Sequence, residues 1–285
     1  MIEIDTGPFL FQAGSFLISW HGFFSFIGVA SAIFLVGRWG RLYNINPDDV
    51  YSIAMWGILS GIIGARLVHV IDNTDYYLSN PTQIVAIWSG GIGLWGGIIG
   101  GFVGGITYAL ITKKPAMLLA DITAPAFLFA QSIGRLGDIV NGEHCARATG
   151  QFFGFIWTNS SSAAINCANG IGASVHPVIA YEILWNMIGL LIIWKLRNRL
   201  TPPGMIMFSY FAIYSAGRFV IQFFREDPIW ALGLQEAQFI AIIMLTLSII
   251  ALALKAKLGN AKQIKQDLES IVPQNSRAEK RRQLK

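Results

Sequence analysis

The sequence predicts an all-α, polytopic integral membrane protein with seven transmembrane helices and a small exoplasmic head. Only 13% of its 285 residues are charged and 54% are hydrophobic, whereas about a quarter of the residues of soluble domains are charged. Seven apolar stretches have about the 20 residues that a helix needs to cross a bilayer. Lysine and arginine concentrate in alternate loops between these stretches. Together these observations exclude a soluble globular domain.

The seven apolar stretches favour helices over the strands of a transmembrane barrel. They are apolar on all faces, whereas barrel strands alternate over about 10 residues. The first stretch is too long and too aromatic for a signal peptide and has no basic segment before it, so we expect it to be a structural helix. The stretches cover residues 16–37, 50–71, 91–111, 117–135, 177–194, 204–224 and 235–254.

The basic residues set the expected orientation. Three short loops on one side carry most of the lysine and arginine that precedes residue 255, and the basic end of the chain falls on the same side. The positive-inside rule therefore predicts a cytoplasmic C-terminus and an outside N-terminus. These loop residues are Arg38, Arg41, Lys113, Lys114, Lys195, Arg197 and Arg199.

We expect one membrane domain over residues 1–254 and a flexible, basic cytoplasmic tail over residues 255–285. The tail can lie along the anionic inner leaflet, and because topology explains the basic excess, no nucleic-acid partner is expected. The longest outer segment, 138–176, is predicted to form the small head, with a structureless loop as the alternative. Its two cysteines, Cys145 and Cys167, can pair in an oxidising exterior, but the sequence does not establish that they do. No metal site is expected, because zinc would need more ligands at closer spacing.

Two further segments carry recognisable patterns. Residues 71–91 are amphipathic and rich in interfacial aromatics, which predicts a short helix lying in the membrane plane. The third stretch, "GGIGLWGGIIGGFVGG", has two series of glycines spaced by four. Such glycines let helix backbones approach closely. We favour tight packing over the alternative that they leave room for acyl chains.

The basic residues on the outer side are all arginines. A charge at membrane depth is costly and by default marks a functional site, and guanidinium groups bind phosphate in a bidentate way. The alternative is that each arginine snorkels or pairs with an acid. We favour that alternative for Arg225 and a functional role for Arg135 and Arg218. The outer arginines are Arg66, Arg135, Arg147, Arg218 and Arg225.

The four histidines also fall on the outer half, at positions 21, 69, 144 and 176. Histidine is the common general base near neutral pH. His176 precedes a proline that would start a helix, so we expect a structural role there. No GxSxG or serine–histidine–aspartate pattern is present, so serine hydrolase chemistry is not predicted.

The stretch "GRLGDIVNGEHCARATG" resembles the signature of the bacterial prolipoprotein diacylglyceryl transferase family, approximately G-R-x-G-N-[FY]-[IV]-N-x-E-x-x-G-R. Further segments resemble other family motifs in the same order, so the resemblance covers nearly the whole chain apart from the basic tail. These segments are "SWHGFF", "GARLVHVI", "IWSGGIGLWGGIIGG", "HPVIAYEILWN", "SAGRFVIQFFRED" and "GLQEAQFIAI".

The resemblance implies seven transmembrane helices in the bacterial inner membrane and a defined reaction. The family moves the diacylglyceryl group of phosphatidylglycerol to the thiol of the lipobox cysteine in a prolipoprotein signal peptide, and glycerol-1-phosphate leaves. No cofactor is implied. The outward arginines suit this reaction, because their contacts strengthen as charge builds on the departing phosphate.

The matching positions imply roles for individual residues. Arg135 and Arg218 would hold the donor phosphate, with Arg218 an essential residue. Asn141 and Glu143 would orient headgroup hydroxyls and the nearby arginines, and Arg66 would contribute to substrate binding. Arg225, Tyr181 and Glu182 match family positions as well.

The chain departs from the family pattern at several of these positions. Trp95 replaces the family's functional histidine, and tryptophan cannot accept a proton from a thiol. His21 replaces a tyrosine, and Asp138 replaces an asparagine. Trp95 and Asp138 are still expected in the substrate site, and we hypothesise that His21 compensates as the base. The other departures are Ala146 for a glycine and Gln222 for an acid.

Three interpretations follow from these departures. The family histidine only positions substrate and the enzyme is active without it, His21 replaces it, or the protein is a catalytically degenerate paralogue that serves as a lipid-binding subunit of a membrane complex. We favour an active transferase. A transporter is a weaker reading, because the polar residues cluster on one side and form no path through the midplane.

Overall fold

The computed structural model describes residues 1–14, 16–260, 264 and 266–268. Seven of its helices are long and apolar enough to cross a membrane, which confirms the predicted fold class. The short helix α3 (Thr74–Ser79), followed by two 3₁₀ turns, lies in the segment predicted to be an interfacial helix. The long helices are α1 (Trp20–Gly40), α2 (Pro47–Asp72), α4 (Leu94–Ile111), α5 (Ala116–Asn141), α6 (Val178–Leu196), α7 (Met205–Ile221) and α8 (Glu236–Lys255).

The first apolar stretch begins later as a helix than the sequence predicts. Residues 16–19 form β3 (Phe16–Ser19), which pairs antiparallel with β2 (Phe9–Ala13). The expected helix start at residue 16 was therefore wrong by four residues, because an apolar run reads alike as a strand and as a helix. The hairpin delivers the chain directly into α1 at Trp20.

Helix α5 continues to Asn141, beyond the predicted end at residue 135. Asp138, one turn after Arg135, pairs with its guanidinium at 2.7 Å, an i,i+3 contact that favours the helix. The helix stops at Gly142, whose φ of +72° is a left-handed conformation suited to glycine. Asp138 and Asn141 therefore lie on a helix and not in the loop that the sequence predicted to begin at residue 138.

The loop between α5 and α6, predicted to lie outside, is folded. Strand β4 (Phe155–Trp157) pairs in parallel with β1 (Ile2–Ile4), and Phe155, Trp157 and Val175 belong to a buried apolar cluster. A disulfide joins Cys145 to Cys167 across 22 residues, so the pairing that the sequence left open is present. This folded segment carries the residues that follow α5 into the candidate site.

Two further short strand pairs are present. Strand β6 (Ile229–Ala231) pairs with β7 (Leu234–Gln235) between α7 and α8. Strand β8 (Lys257–Leu258) pairs with β5 (Leu200–Thr201), so the first residues of the expected flexible tail are ordered. The rest of that tail, residues 261–263, 265 and 269–285, lies outside the described residues.

The contacts divide the chain into two units. Among the described residues, 1–35 with 120–264 form one, and 36–119 with 266–268 form the other. In the second unit, α2 and α4 pack along their glycines. A Cβ on Gly64 would meet the carbonyl oxygen of Gly96 and lie 3.1 Å from Cα of Gly100. The glycines therefore serve close helix packing, and the space that acyl chains would need along this seam is filled by α2.

We expect Gly64→Ala to lower the free energy of unfolding by about 1–3 kcal/mol, because the added methyl would push α2 away from α4. Gly101→Ala is the matched control, since its Cβ would lie 3.5 Å from the carbonyl oxygen of Gly57, an ordinary contact. Thermal unfolding in detergent micelles measures both. Equal effects of the two substitutions would contradict the packing described here.

Candidate active site

The end of α5 presents a buried carboxylate to two basic partners. Oδ2 of Asp138 accepts a hydrogen bond from Nη1 of Arg135 at 2.7 Å. Oδ1 of Asp138 lies 2.5 Å from Nδ1 of His21 on α1. The side chain of Asp138 is only 3% exposed, and buried charges are stable only when paired in this way.

Gly137 allows α1 and α5 to meet at this point. A Cβ at position 137 would lie 2.6 Å from Cα of His21 and 2.7 Å from the carbonyl oxygen of Trp20. No side chain fits there, so the two helix backbones are in direct contact. The neighbouring Asp138 is thereby held against the first turn of α1.

The buried carboxylate of Glu182, in the first turns of α6, contacts three guanidinium groups. Its Oε2 lies 2.6 Å from Nε of Arg135, and its Oε1 lies 2.7 Å from Nη1 of Arg218. The same Oε1 lies 3.6 Å from Nη1 of Arg225. The arginines of α5 and α7 thus converge, together with the arginine that follows α7.

His144 bridges two of these arginines. Its Nε2 lies 2.7 Å from Nη1 of Arg135, and its Nδ1 lies 2.9 Å from Nη2 of Arg225. A neutral imidazole has one acceptor nitrogen, so His144 accepts from one of the two arginines at a time. His144 is one of the four histidines predicted to lie on the outer half, and the sequence alone predicted no role for it. Its place inside the signature stretch, directly after Glu143, was the available signal.

Arg225 is also held by a polar network around Asp227 and Gln222. Its Nε donates to Oδ2 of Asp227 at 3.0 Å, and the same oxygen accepts from Nε2 of Gln222 at 2.5 Å. Gln222 is fully buried and also donates to Oε1 of Gln235. An acid at position 222 could not donate these bonds when ionised. Glutamine at position 222, where the family pattern has an acid, therefore suits the two acceptor oxygens around it.

The surroundings of this network shift the pKa values of two of its groups, Arg225 and Asp227. Burial, together with the charge of Arg218, lowers the pKa of the Arg225 guanidinium. Burial opposes ionisation of Asp227, but the charge of Arg225 and the hydrogen bonds from Gln222 and Arg225 outweigh it and lower the pKa of that carboxyl. The pairing of Arg225 with an acid, favoured from the sequence, is present as Asp227.

We expect Asp227→Asn to lower the free energy of unfolding at pH 7 by about 1–2 kcal/mol. This is the contribution of a charge-assisted hydrogen bond, reduced because the side chain is partly exposed to solvent. Because folding lowers the pKa of Asp227, its contribution is complete above the unfolded value of about 3.9 and is lost as the pH falls below it. Unfolding measured at pH 7 and at pH 3 tests this. Glu226→Gln is the control. A difference in the free energy of unfolding between Asp227→Asn and wild type that is the same at both pH values would contradict this pH dependence.

Asn141 and Glu143 contact each other. Nδ2 of Asn141 donates to Oε1 of Glu143 at 2.9 Å, and Oε2 of Glu143 lies 3.5 Å from Nδ1 of His21. Oδ1 of Asn141 is buried without a hydrogen bond among the described residues. Within the described residues, the carboxylates that contact these arginines are those of Asp138, Glu182 and Asp227. Glu143 lies instead beside His21.

The same cluster offers the only set of ligand atoms for a metal ion within the described residues. Atoms of His21, Asp138 and Glu143 lie within 4.8 Å of one another. A cation there would lie beside the Arg135 guanidinium, which already shares the carboxylate of Asp138. The arrangement therefore suits hydrogen bonding and proton transfer better than metal binding.

Arg66 and Trp95 lie in the second unit. Arg66 is 6% exposed, and its guanidinium donates to four backbone carbonyls, those of Gln83, Ile84, Gly90 and Gly91. These bonds fasten the segment after α3 and favour a structural role over the lipid contact expected from the sequence. Trp95 is in the first turn of α4 and is 42% exposed.

The arginine cluster, which consists of Arg135, Arg218 and Arg225, retains hydrogen-bond donors that can bind an anion. Within the described part of the chain, Nε and Nη2 of Arg218 make no hydrogen bond, and Nη1 of Arg225 is buried without one. The side chains of Arg135 and Arg218 remain 21% and 20% exposed. The crevice beside Arg218, between α6 and α7, has a volume of about 10 Å³. This is room for about one water, so a phosphate would have to approach from the exposed side of the arginines.

Comparison with known proteins identifies the family. The family model described as prolipoprotein diacylglyceryl transferase matches residues 8–254. The chain belongs to the prolipoprotein diacylglyceryl transferase family. The match includes α1, α5, α6, α7 and the segment after α7, and therefore every residue of the arginine cluster.

Curated relatives agree with this membership. The phosphatidylglycerol–prolipoprotein diacylglyceryl transferase of Limosilactobacillus reuteri (strain DSM 20016) is 32% identical over 263 residues, covering 89% of this chain and 93% of that protein. The protein of the same name from Bacillus cereus (strain G9842) is 34% identical over 251 residues, covering 88% and 92%. The resemblance found in the sequence motifs is confirmed, and this member of the diacylglyceryl transferase family spans nearly the full length of its relatives.

Proposed function

We propose that this protein transfers the diacylglyceryl group of phosphatidylglycerol to the thiol of the lipobox cysteine in a prolipoprotein signal peptide. A bond forms between the sulfur and the glyceryl carbon, and the bond from that carbon to the phosphate oxygen breaks. Glycerol-1-phosphate leaves. Family membership over residues 8–254 and the names of the relatives support this reaction.

The convergence of Arg135, Arg218 and Arg225 on Glu182 is the observation that carries the proposal. The three guanidinium groups come from α5, α7 and the segment after α7. A single phosphate can contact the two that are partly exposed, Arg135 and Arg218, while the buried Arg225 adds positive charge behind them. Negative charge increases on the phosphate as the ester bond breaks. Guanidinium donors fixed in advance stabilise that charge more in the transition state than in the ground state.

We assign Arg135 and Arg218 to the donor phosphate, because both are partly exposed and Arg218 keeps unpaired donors. Glu182 holds them while the site is empty of lipid. Asn141, with its buried and unpaired Oδ1, and Glu143 lie close enough to the cluster to orient headgroup hydroxyls. The reaction as written needs no cofactor.

Family membership supports an inner-membrane location, and the positive-inside pattern supports an orientation with the arginine cluster at the outer surface. The cluster residues lie near the start of α1, the end of α5, the start of α6 and the end of α7. With seven spans and an outside N-terminus, all four ends lie on the outer side. In this arrangement residues 1–254 form the membrane domain, and the tail is cytoplasmic.

A second candidate is a lipid-binding protein without transferase activity. Trp95, where the family pattern has its functional histidine, favours this candidate, since indole cannot accept a proton. Both candidates bind phosphatidylglycerol through the arginines and differ only in the chemical step.

Reconstitution separates the two candidates. Purified protein in phosphatidylglycerol vesicles is mixed with a lipobox peptide, and mass spectrometry follows the thioether product. We expect product with the cysteine peptide and none with a serine peptide of the same sequence. Absence of product, with phosphatidylglycerol still bound, would contradict the transferase and favour the lipid-binding protein.

A further inference from the structure

We propose that His21 and Asp138 form an acid–base dyad, in which Nε2 of His21 takes the proton of the acceptor thiol and Asp138 holds the imidazole in place. The proposal rests on the transferase function proposed above. It assigns the proton transfer to a pair on α1 and α5, with His21 as a catalytic residue and Asp138 as a positioning residue.

The geometry of the pair sets the tautomer. Nδ1 of His21 lies 2.5 Å from Oδ1 of Asp138. An ionised carboxylate oxygen only accepts hydrogen bonds, so Nδ1 carries the hydrogen and Nε2 is left with a lone pair. A carboxylate that fixes a histidine in this way leaves the opposite nitrogen free to act as a base.

Burial divides the two roles between the residues. The side chain of Asp138 is 3% exposed, whereas that of His21 is 47% exposed. A substrate thiol can therefore reach the imidazole but not the carboxylate. This is the division expected of a base and the group that orients it.

The surroundings fix Asp138 and favour positive charge on the imidazole. Oδ2 of Asp138 is held by Arg135 at 2.7 Å and lies 3.3 Å from Nε2 of His144, so the carboxylate cannot turn away from His21. Oε2 of Glu143 lies 3.5 Å from Nδ1 of His21. Two carboxylates thus face the imidazole, with Arg135 opposing them from behind Asp138, and they stabilise the imidazolium that forms after proton transfer.

Both members of the pair are departures from the family pattern, in which a tyrosine and an asparagine occupy these positions. The structure joins the two departures across 117 residues of sequence. Trp95 cannot act as a base, whereas the imidazole of this pair can accept a proton.

The chemical step balances without a further reactant. The thiol proton moves to Nε2 of His21, and the thiolate sulfur attacks the glyceryl carbon that carries the phosphate ester. The electron pair of the breaking carbon–oxygen bond stays on the phosphate oxygen, next to the arginines. The proton on Nε2 can then pass to the departing glycerol-1-phosphate, which restores the neutral imidazole.

The test is the pH dependence of product formation by wild type, His21→Phe and Asp138→Asn in phosphatidylglycerol vesicles with the lipobox peptide. We expect His21→Phe to lower the rate constant at pH 7 by about 10²–10⁴-fold, the usual contribution of a general base. The loss should shrink toward pH 9, because a cysteine thiol with a pKa of about 8.5 then ionises by itself. Asp138→Asn should show the same recovery at high pH with a smaller loss at pH 7.

Matched controls keep the outcome interpretable. His69→Phe makes the same substitution in the second unit, where the imidazole packs edge-on against Tyr77, and should leave the pH profile unchanged. Phosphatidylglycerol binding and thermal unfolding are measured on every variant, so a misfolded variant is recognised. If Asp138→Asn unfolds, His21→Phe and His21→Gln carry the test.

The outcomes distinguish the dyad from the function on which it rests. Active wild type with unchanged turnover in His21→Phe overturns the dyad and leaves the transferase intact. A loss of turnover in His21→Phe that is equal at pH 7 and pH 9 also overturns it, since that would indicate a structural role. A wild type that forms no product at any pH overturns the proposed function and the dyad with it.

Discussion

Arg218→Ala is expected to lower kcat/KM for transfer by about 10²–10³-fold, the effect of removing one donor that stabilises developing charge. The physical reason is the position of Arg218 in the cluster. Its Nη1 is held by Glu182 at 2.7 Å, while Nε and Nη2 make no hydrogen bond within the described residues. The loss should fall mainly on kcat, because the contact strengthens as the ester bond breaks.

Arg218→Lys refines this expectation. Lysine keeps the charge but loses the planar fork that contacts two oxygens at once, so we expect an intermediate loss of about 10-fold. Arg147→Ala is the control, since Arg147 is exposed and lies in the loop between α5 and α6. Steady-state kinetics in vesicles measure all three variants. An Arg218→Ala protein as active as Arg147→Ala would contradict the assignment.

Glu182→Gln is expected to have the second large effect, a loss of about 3–5 kcal/mol in the free energy of unfolding. Removing one charge from a buried ion network leaves the remaining charges uncompensated. Here the side chain of Glu182 is 8% exposed, and Arg135, Arg218 and Arg225 surround its carboxylate at 2.6, 2.7 and 3.6 Å. The amide keeps the shape of the side chain but removes its charge.

A second substitution tests the cause of this loss. In the double variant Glu182→Gln/Arg218→Met, one uncompensated charge is removed, so the two effects should be less than additive by about 0.5–3 kcal/mol. Glu236→Gln, at the exposed start of α8, is the control. Chemical unfolding in micelles measures each protein. Strict additivity would show that Glu182 and Arg218 do not interact.

The transmembrane helices could be predicted because the information for each is local. About 20 apolar residues specify a span wherever it packs, and seven spans were found at close to their observed bounds. The errors occurred at ends, where the deciding contacts are not local. Residues 16–19 pair with Phe9–Ala13, and the last turn of α5 includes Asp138, which is paired with His21.

The site could be predicted only in part, for a similar reason. Arg135 and Arg218 stood out because a charge within an apolar stretch is costly. Their common partner Glu182 matched a family position, but its contacts depend on how α5, α6 and α7 pack. Arg66 stood out for the same reason as the other arginines, yet its partners are carbonyls 17 to 25 residues away. No local sequence pattern distinguishes an arginine that pairs with a carboxylate in the site from one that binds backbone carbonyls.

The binding preference for phosphatidylglycerol over diacylglycerol with the same acyl chains tests the central claim most directly. Native mass spectrometry of wild type and of Arg135→Gln/Arg218→Gln, each offered both lipids, isolates the contribution of the phosphate-bearing headgroup. We expect wild type to prefer phosphatidylglycerol and the double variant to lose that preference by about 10²-fold or more, from two charged hydrogen-bond partners. An undiminished preference in a folded double variant would contradict the claim that these guanidinium groups hold the lipid phosphate.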